Sequence, residues 1–323
     1  MVMNYLRKAM EDVHEVSSNS RGTPLKTRGF ARRRLHVPWQ VVFLAPAAVF
    51  LGATALYPLG QLIHMSLSDV TPATIGGHWP FTGLHEYRSI LHNSEFTQAL
   101  GNTFIYTGIV VIVSLAGGLA VALSLRKGGF LARTTTIIML SVWLAPPVAN
   151  GLIWKFLLSQ YGIVNSILEQ IGIIHSPILF LNNGWLPLTS VALVNAWVVI
   201  PFAAIVLRSA LLDVPRDLLE QARVDGAKPR QRFAQIVLPT LLPTMLVLAI
   251  LVVVYAFKSF DFVYVMTLGG PGTASSTLPF LSWETAFVGF QYSTGAAIAV
   301  VAALIVSFFS LFYIRSLRRE VHA

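Results

Sequence analysis

Lys258 and Asp261 stand three residues apart within an otherwise apolar run, and on one helix that spacing lets an ammonium and a carboxylate pair. Ionisable groups in such runs are costly unless they face one another, a bundle interior or water. The pair therefore reads either as a structural ion pair or, at Asp261, as a contact for a bound solute. Further polar and aromatic groups interrupt the apolar runs: Asn150 and Trp154, then Asn195, Trp197 and Phe202, then Tyr255, Phe257 and Ser259. Covalent and metal chemistry find no matching constellation. Cysteine is absent, and His85-Glu86 is followed by Tyr87, Arg88 and Ser89, which supply no second histidine for zinc. No Gly-x-x-x-x-Gly-Lys-Ser/Thr loop is present to cradle nucleotide phosphates, and no Ser/His/Asp arrangement or carboxylate pair lies in the apolar runs. The chain reads as a non-enzyme.

What must position those side chains follows from composition. The 323 residues are 55% hydrophobic and 11% charged, with mean hydropathy +0.67, whereas a soluble domain carries roughly a quarter charged residues. Six apolar runs are long enough to cross a hydrocarbon core of about 30 Å as helices: approximately Gln40–Ser66, Ala99–Leu125, Thr134–Leu157, Trp185–Leu211, Ile236–Met266 and Thr294–Ile314. An all-α integral membrane protein is the expected fold class. The first run exceeds the core of a signal peptide, about 7 to 15 residues, and reads as a retained helix. Ahead of it, residues 1–38 are polar and rich in Ser and Arg, a flexible basic tail; residues 317–323 form a short tail at the other end.

The formal charge of +9 is distributed by side. With the N-terminus inside, the cytoplasmic flanks hold Arg32, Arg33 and Arg34, then Arg126, Lys127 and Arg133, then Arg208 to Arg232, then Arg315 to Arg319, while the three opposite loops together hold only Arg88. That asymmetry predicts six spans with both termini cytoplasmic. It accounts for the basic balance through topology and anionic headgroups, leaving no basic face for nucleic acid.

Between the fourth and fifth spans lies the stretch from Leu212 to Ala227. Residues from about 214 to 227 predict a short helix, with Pro215 at its first position, Asp217 and Glu220 early, and Gly226 as a left-handed cap. Leu218, Leu219, Ala222 and Val224 give it an apolar side, which in water at a membrane face suits docking into a partner's groove.

Here the sequence resembles the membrane subunits of binding-protein-dependent ABC importers. Their signature is Glu-Ala-Ala, three residues, Gly, nine residues, then Ile-x-Leu-Pro; this chain has Glu220-Gln221-Ala222, Gly226, then Ile236-Val237-Leu238-Pro239. Gln221 alone departs, and Gln keeps a helix propensity close to that of Ala. Tyr57-Pro58, Phe81-Thr82-Gly83-Leu84, Asn102-Thr103, Gly162-Ile163-Val164-Asn165, Pro201-Phe202, Phe260-Asp261 and Thr267-Leu268-Gly269-Gly270-Pro271 extend the resemblance to the branch for maltose-like oligosaccharides and glycerol-phosphate compounds. The resemblance implies a type I importer transmembrane domain over 39–316. It also implies coupling to a cytoplasmic ATPase through Glu220, Gln221, Ala222, Asp225, Gly226, Leu238 and Pro239.

A sugar is hydroxyl-rich and uncharged, so its site needs aromatic faces and hydrogen-bonding partners. In similar subunits the corresponding stretches of spans three to five line that site. This assigns Asn150, Trp154, Asn195, Trp197, Phe202, Tyr255, Phe257, Ser259 and Asp261 to the pathway, although Trp154 and Trp197 also suit packing or an interfacial belt. The implied partners are a second, homologous permease subunit, two copies of an ATPase subunit carrying ATP and Mg, and an extracytoplasmic solute-binding protein. No cofactor is expected on this chain, and the implied location is a bacterial or archaeal cytoplasmic membrane. The alternative is a secondary, ion-coupled transporter, whose broken helices come in paired repeats near the midplane.

Overall fold

In the computed structural model, residues 39–126 and 128–320 are described; the expected tail 1–38 and the last three residues of the tail 317–323 lie outside them. The chain divides into two units between Thr54 and Ala55. That division falls inside the first helix, α1 (Trp39–Ser66), which contains Pro46 and Pro58. Phe50, Leu51, Leu56 and Tyr57 on it are exposed, as suits a helix bathed in lipid.

In the larger unit, α2 (His85–His92) leads into α3 (Ser94–Ser124). The second span was expected from Ala99, and α3 starts a turn earlier because Asn93 caps it, its Oδ1 accepting from the Glu95 amide at 2.8 Å. The third span is not one rod. Helices α4 (Phe130–Leu144) and α5 (Pro147–Leu157) meet at 99°. Pro146 is the cause, since it supplies no amide for the Val142 carbonyl. A connector helix α6 (Ile163–Gln170) precedes α7 (Leu186–Leu212), the fourth span.

Helix α8 (Arg216–Val224) then lies between spans, followed by α9 (Pro229–Arg232), a π-helical turn over Phe233–Val237 and α10 (Leu238–Phe257). The fifth span therefore begins before Ile236 and stops at Phe257 rather than Met266. Residues 258–260 separate it from α11 (Asp261–Met266). No proline or glycine marks this break. Phe260 instead turns into an aromatic cluster with Tyr264, Phe280 and Trp283, at centroid distances of 5.1 to 6.2 Å, so tertiary contacts override local propensity. Then follow α12 (Leu278–Trp283), a second π turn (Glu284–Val288) and α13 (Tyr292–Glu320), whose segment Tyr292–Leu311 is apolar enough to be the sixth span. Among the described residues five helices are long and apolar enough to cross a membrane, six when α4 and α5 count as one broken span.

Helix α7 is the axis of this unit: Val191, Ala192, Val198, Ala203 and Leu207 on it are buried against Tyr106 and Val110 of α3 and Leu241 and Leu248 of α10. Lipid supplies no hydrophobic drive between helices, so close backbone approach must hold them. Gly117 and Gly118 provide it. A Cβ on Gly118 would sit 2.6 Å from the Ala203 Cβ and 3.0 Å from its carbonyl carbon.

Loops at the opposite end from α8 are tied down by the very residues that carried the sequence resemblance. Asn102 Nδ2 donates to the carbonyls of Thr273, Ala274 and Ser276 at 3.1, 3.2 and 2.9 Å, and the Leu278 amide donates to Thr103 Oγ1 at 2.9 Å. Asn165 Nδ2 donates to Ser159, Gln160 and Ile178 carbonyls while its Oδ1 accepts from the Ile178 amide. These residues organise loops rather than touch a solute.

Gly118→Val should separate α3 from α7 and destabilise the subunit by about 1–3 kcal/mol or more, seen as a lowered melting temperature in detergent. Gly108→Ala, whose added Cβ meets nothing within 4 Å, should leave it unchanged.

Candidate functional site

The helix between spans four and five is short, mostly exposed and closed by a glycine cap. Pro215 is not its first helical residue: its ψ of 124° is extended, and it stands as the N-cap ahead of Arg216. At the other end Gly226 adopts φ +80°, as expected. The Ala227 amide donates to the Ala222 carbonyl at 2.9 Å and the Gly226 amide to Arg223 at 3.2 Å, the pair of bonds that closes a Schellman cap. A residue with a Cβ pays about 1–2 kcal/mol in that conformation, so the glycine is required by the backbone; nothing within the chain crowds it.

Leu219 packs against the core, whereas Leu218 is 48% and Val224 87% exposed. Glu220, Gln221 and Asp225 are exposed as well. The helix thus shows the bundle one apolar residue and shows its surroundings two more among charges. Leu238 and Pro239 follow the π turn. The Leu238 amide reaches back five residues to the Phe233 carbonyl, and Pro239 has no amide to offer Gln235. Here Leu238-Pro239 marks a joint between the lever's base and α10.

The nine groups assigned to the pathway separate into distinct places. Asn150 is buried, and its Nδ2 donates at 3.1 Å to the Val142 carbonyl that Pro146 leaves without an amide, so it repairs the break in span three. Asn195 is fully buried; its Nδ2 donates to Tyr106 Oη at 2.7 Å and to Ser259 Oγ at 3.1 Å, with the two hydroxyls 3.3 Å apart. Asn195 Oδ1 has no hydrogen-bond partner among the described residues. Tyr106 was not singled out from the sequence, where it reads as one aromatic in an apolar run; only the fold shows that it joins α3 to α7 and to the break after α10. Phe257 is buried with an edge contact to Phe104 at 5.8 Å, and Tyr255 packs on the core.

Trp154 and Trp197 meet edge to face at 5.3 Å and line one cavity of about 510 Å³ with Trp185, Ile109, Leu193 and Ser190. Phe202 stacks on Trp143 at 5.2 Å, away from that cavity. Lys258 and Asp261 are both exposed and make no ion pair. The expected pairing fails because the helix ends at Phe257, which leaves Lys258 in the break and Asp261 at the start of the next helix. Lys155, unremarked in the sequence, instead donates Nζ to the Val265 carbonyl at 2.9 Å and ties α5 to α11.

At the loop-rich end a second cavity of about 520 Å³ gathers Glu95, Glu284, Asn93, Gln291 and Thr294. Burial first, and then the charge of Glu95, raises the Glu284 carboxyl above its ordinary value. Among the described residues no group of three or more His, Cys, Asp or Glu could hold a metal.

A bundle of apolar spans with a capped amphipathic helix projecting between the fourth and fifth defines the membrane subunit of a binding-protein-dependent importer. Residues 108–321 match the family described as the binding-protein-dependent transport system inner membrane component, and the chain belongs to it. It is a multi-pass permease subunit of an ABC importer. Among its relatives, the sulfoquinovosyl glycerol transport system permease protein SmoG of Agrobacterium fabrum is 31% identical, covering 87% of this chain and 90% of that one. The trehalose/maltose transport system permease protein MalF of Thermococcus litoralis is 31% identical over 73% of this chain and 79% of its own length. The sn-glycerol-3-phosphate transport system permease protein UgpA of Agrobacterium fabrum is 30% identical over 87% and 95%. A solved bacterial transporter that imports the acidic polysaccharide alginate has the same fold, with a TM-score of 0.73 at 20% identity over 87% of this chain and 95% of that one.

Tyr106→Phe should leave Asn195 bonded to Ser259 alone and cost about 1 kcal/mol. Thermal unfolding of the purified assembly would register this as a drop of a few degrees, with Tyr255→Phe as the comparison.

Proposed function

We propose that this chain forms half of the transmembrane pathway for a sugar or related polar solute and is driven by ATP hydrolysed on a separate subunit. The observation that carries the reading is α8: a helix with its own cap, one leucine anchored in the bundle, and Leu218 and Val224 exposed beside Glu220, Gln221 and Asp225. A partner groove that covers those side chains receives a lever already rigid, and its closure is passed through Leu219 and the Leu238-Pro239 joint into spans four and five. Glu220, Gln221, Ala222, Asp225, Gly226, Leu238 and Pro239 are the coupling residues in this reading, with both termini and α8 in the cytoplasm.

Carbohydrate as the solute class is supported by relatives named for sulfoquinovosyl glycerol and trehalose/maltose. It is supported also by the cavity in which Trp154, Trp185 and Trp197 offer ring faces beside Ser190. Trp154, Trp197, Phe202, Tyr255 and Asp261 remain pathway candidates. Asn150, Asn195, Phe257 and Ser259 serve the pathway by fixing the spans that shape it. The assembly comprises a second homologous permease subunit, two ATPase copies that bind ATP and Mg, and an extracytoplasmic binding protein docking on the loop-rich face, in the cytoplasmic membrane of a bacterium or archaeon.

Gly226→Asp should abolish uptake while the permease still inserts and assembles, measured as radiolabelled solute accumulation in vesicles loaded with ATP. Uptake by the unaltered assembly should stop when ATP is removed and survive collapse of the ion gradient; the opposite pattern would return the secondary-transporter alternative.

A further inference from the structure

Between α8 and the ends of spans two and five lies a cavity of about 360 Å³ walled by Leu123, Leu219, Phe233 and Val237 and lined also by Arg126, Arg223, Arg232 and Glu220. Three arginines and one glutamate line it, an excess of two positive charges; Arg232 is half-buried, and Arg126, Glu220 and Arg223 are exposed at its rim. None of the four makes an ion pair or side-chain hydrogen bond within the described residues, and the Nε of Arg232 is buried without an acceptor. A buried donor left unpaired costs about 1–3 kcal/mol, more when the group is charged.

The geometry points to a binding site for a phosphate-bearing anion in this cavity, between α8 and the ends of spans two and five. Guanidinium forks match phosphate oxygens two at a time, and three arginines lining one cavity favour phosphate over a single carboxylate. The setting favours a headgroup. The cavity stands where the arginine-flanked ends of the spans meet the inner leaflet, and its apolar walls suit the glycerol and first methylenes of a lipid. A soluble phosphate offers the same oxygens without the chain. Bound there, the anion would bridge Arg223 on α8 to Arg126 at the end of span two and Arg232 at the base of span five. It would thus clamp the lever to the spans it moves. The site is independent of the solute carried and uses only the cytoplasmic placement of α8 from the reading above.

The test uses the complete assembly of both permeases and the ATPase, and reads lipid rather than transport, so its failure is distinct from failure of the import reading. Native mass spectrometry would measure phosphatidylglycerol retained after delipidation, and inorganic phosphate would be titrated by thermal shift in detergent. Arg126→Gln with Arg232→Gln should lower retention or the phosphate response by about tenfold or more, while Arg230→Gln, outside the cavity, should change neither. Loss of lipid alone identifies a headgroup; loss of the phosphate shift alone identifies a soluble anion. Should the glutamine variant not assemble, Arg126→Lys with Arg232→Lys decides, because it keeps charge and loses the forks: weakened binding supports the site. Unchanged retention and unchanged phosphate response overturn it, as does loss of the ATPase subunit with lipid and phosphate binding intact, which would mean that a partner's acidic side chain fills the cavity.

Discussion

In hydrocarbon every backbone amide and carbonyl has to find its partner inside the protein, and the distinctive features of this fold are the places where that rule is strained and then met. Pro146 deprives the Val142 carbonyl of its bond, the chain turns by 99°, and Asn150 makes the repair. Pro239 deprives Gln235, and the helix answers with a π turn just before it. After Phe257 the fifth span stops, and Ser259 is gathered to Asn195 and Tyr106 in the centre of the bundle. Each break is thereby met by a side chain of the bundle itself, and Lys155 and Phe260 tie the pieces that follow to their neighbours.

Much of the fold was legible because its signals are strong and local. Long apolar runs state the spans, and the side-by-side count of arginines and lysines predicts which loops face which way. Gly226 with its expected left-handed geometry could be read from the punctuation of one short helix. The breaks were harder. Pro146 and Pro147 were visible, yet proline is common enough in membrane helices that a bend does not follow from it. The stop after Phe257 has no sequence mark, being set by the aromatic packing of Phe260 and by the Ser259 hydroxyl. Polar residues inside spans were read as facing a solute, and for Asn150 and Asn195 the competing need, satisfaction of buried groups within the chain, took them inward. Tyr106 escaped notice for the same reason: an isolated tyrosine says nothing about which hydroxyl or amide will meet it.

Those two uses of polarity separate the molecule into a frame and a lever. The frame is α7 with its close neighbours, held by Gly117 and Gly118 against Ile200 and Ala203. The proposed lever is α8, which packs Leu219 on the core, follows the buried Val214 and ends in the bonded cap at Gly226. The proposed coupling needs both, since force delivered to a soft helix would dissipate before it reached the spans.

The chain contains no cysteine, so one introduced at Leu218 reports on α8 without interference. In the assembled importer, Leu218→Cys should cross-link to a cysteine placed in the groove of the ATPase subunit, with a yield that changes when ATP is bound. A variant that assembles normally but reacts only with a membrane-impermeant thiol reagent from the extracytoplasmic side, and never with the ATPase, would contradict the account.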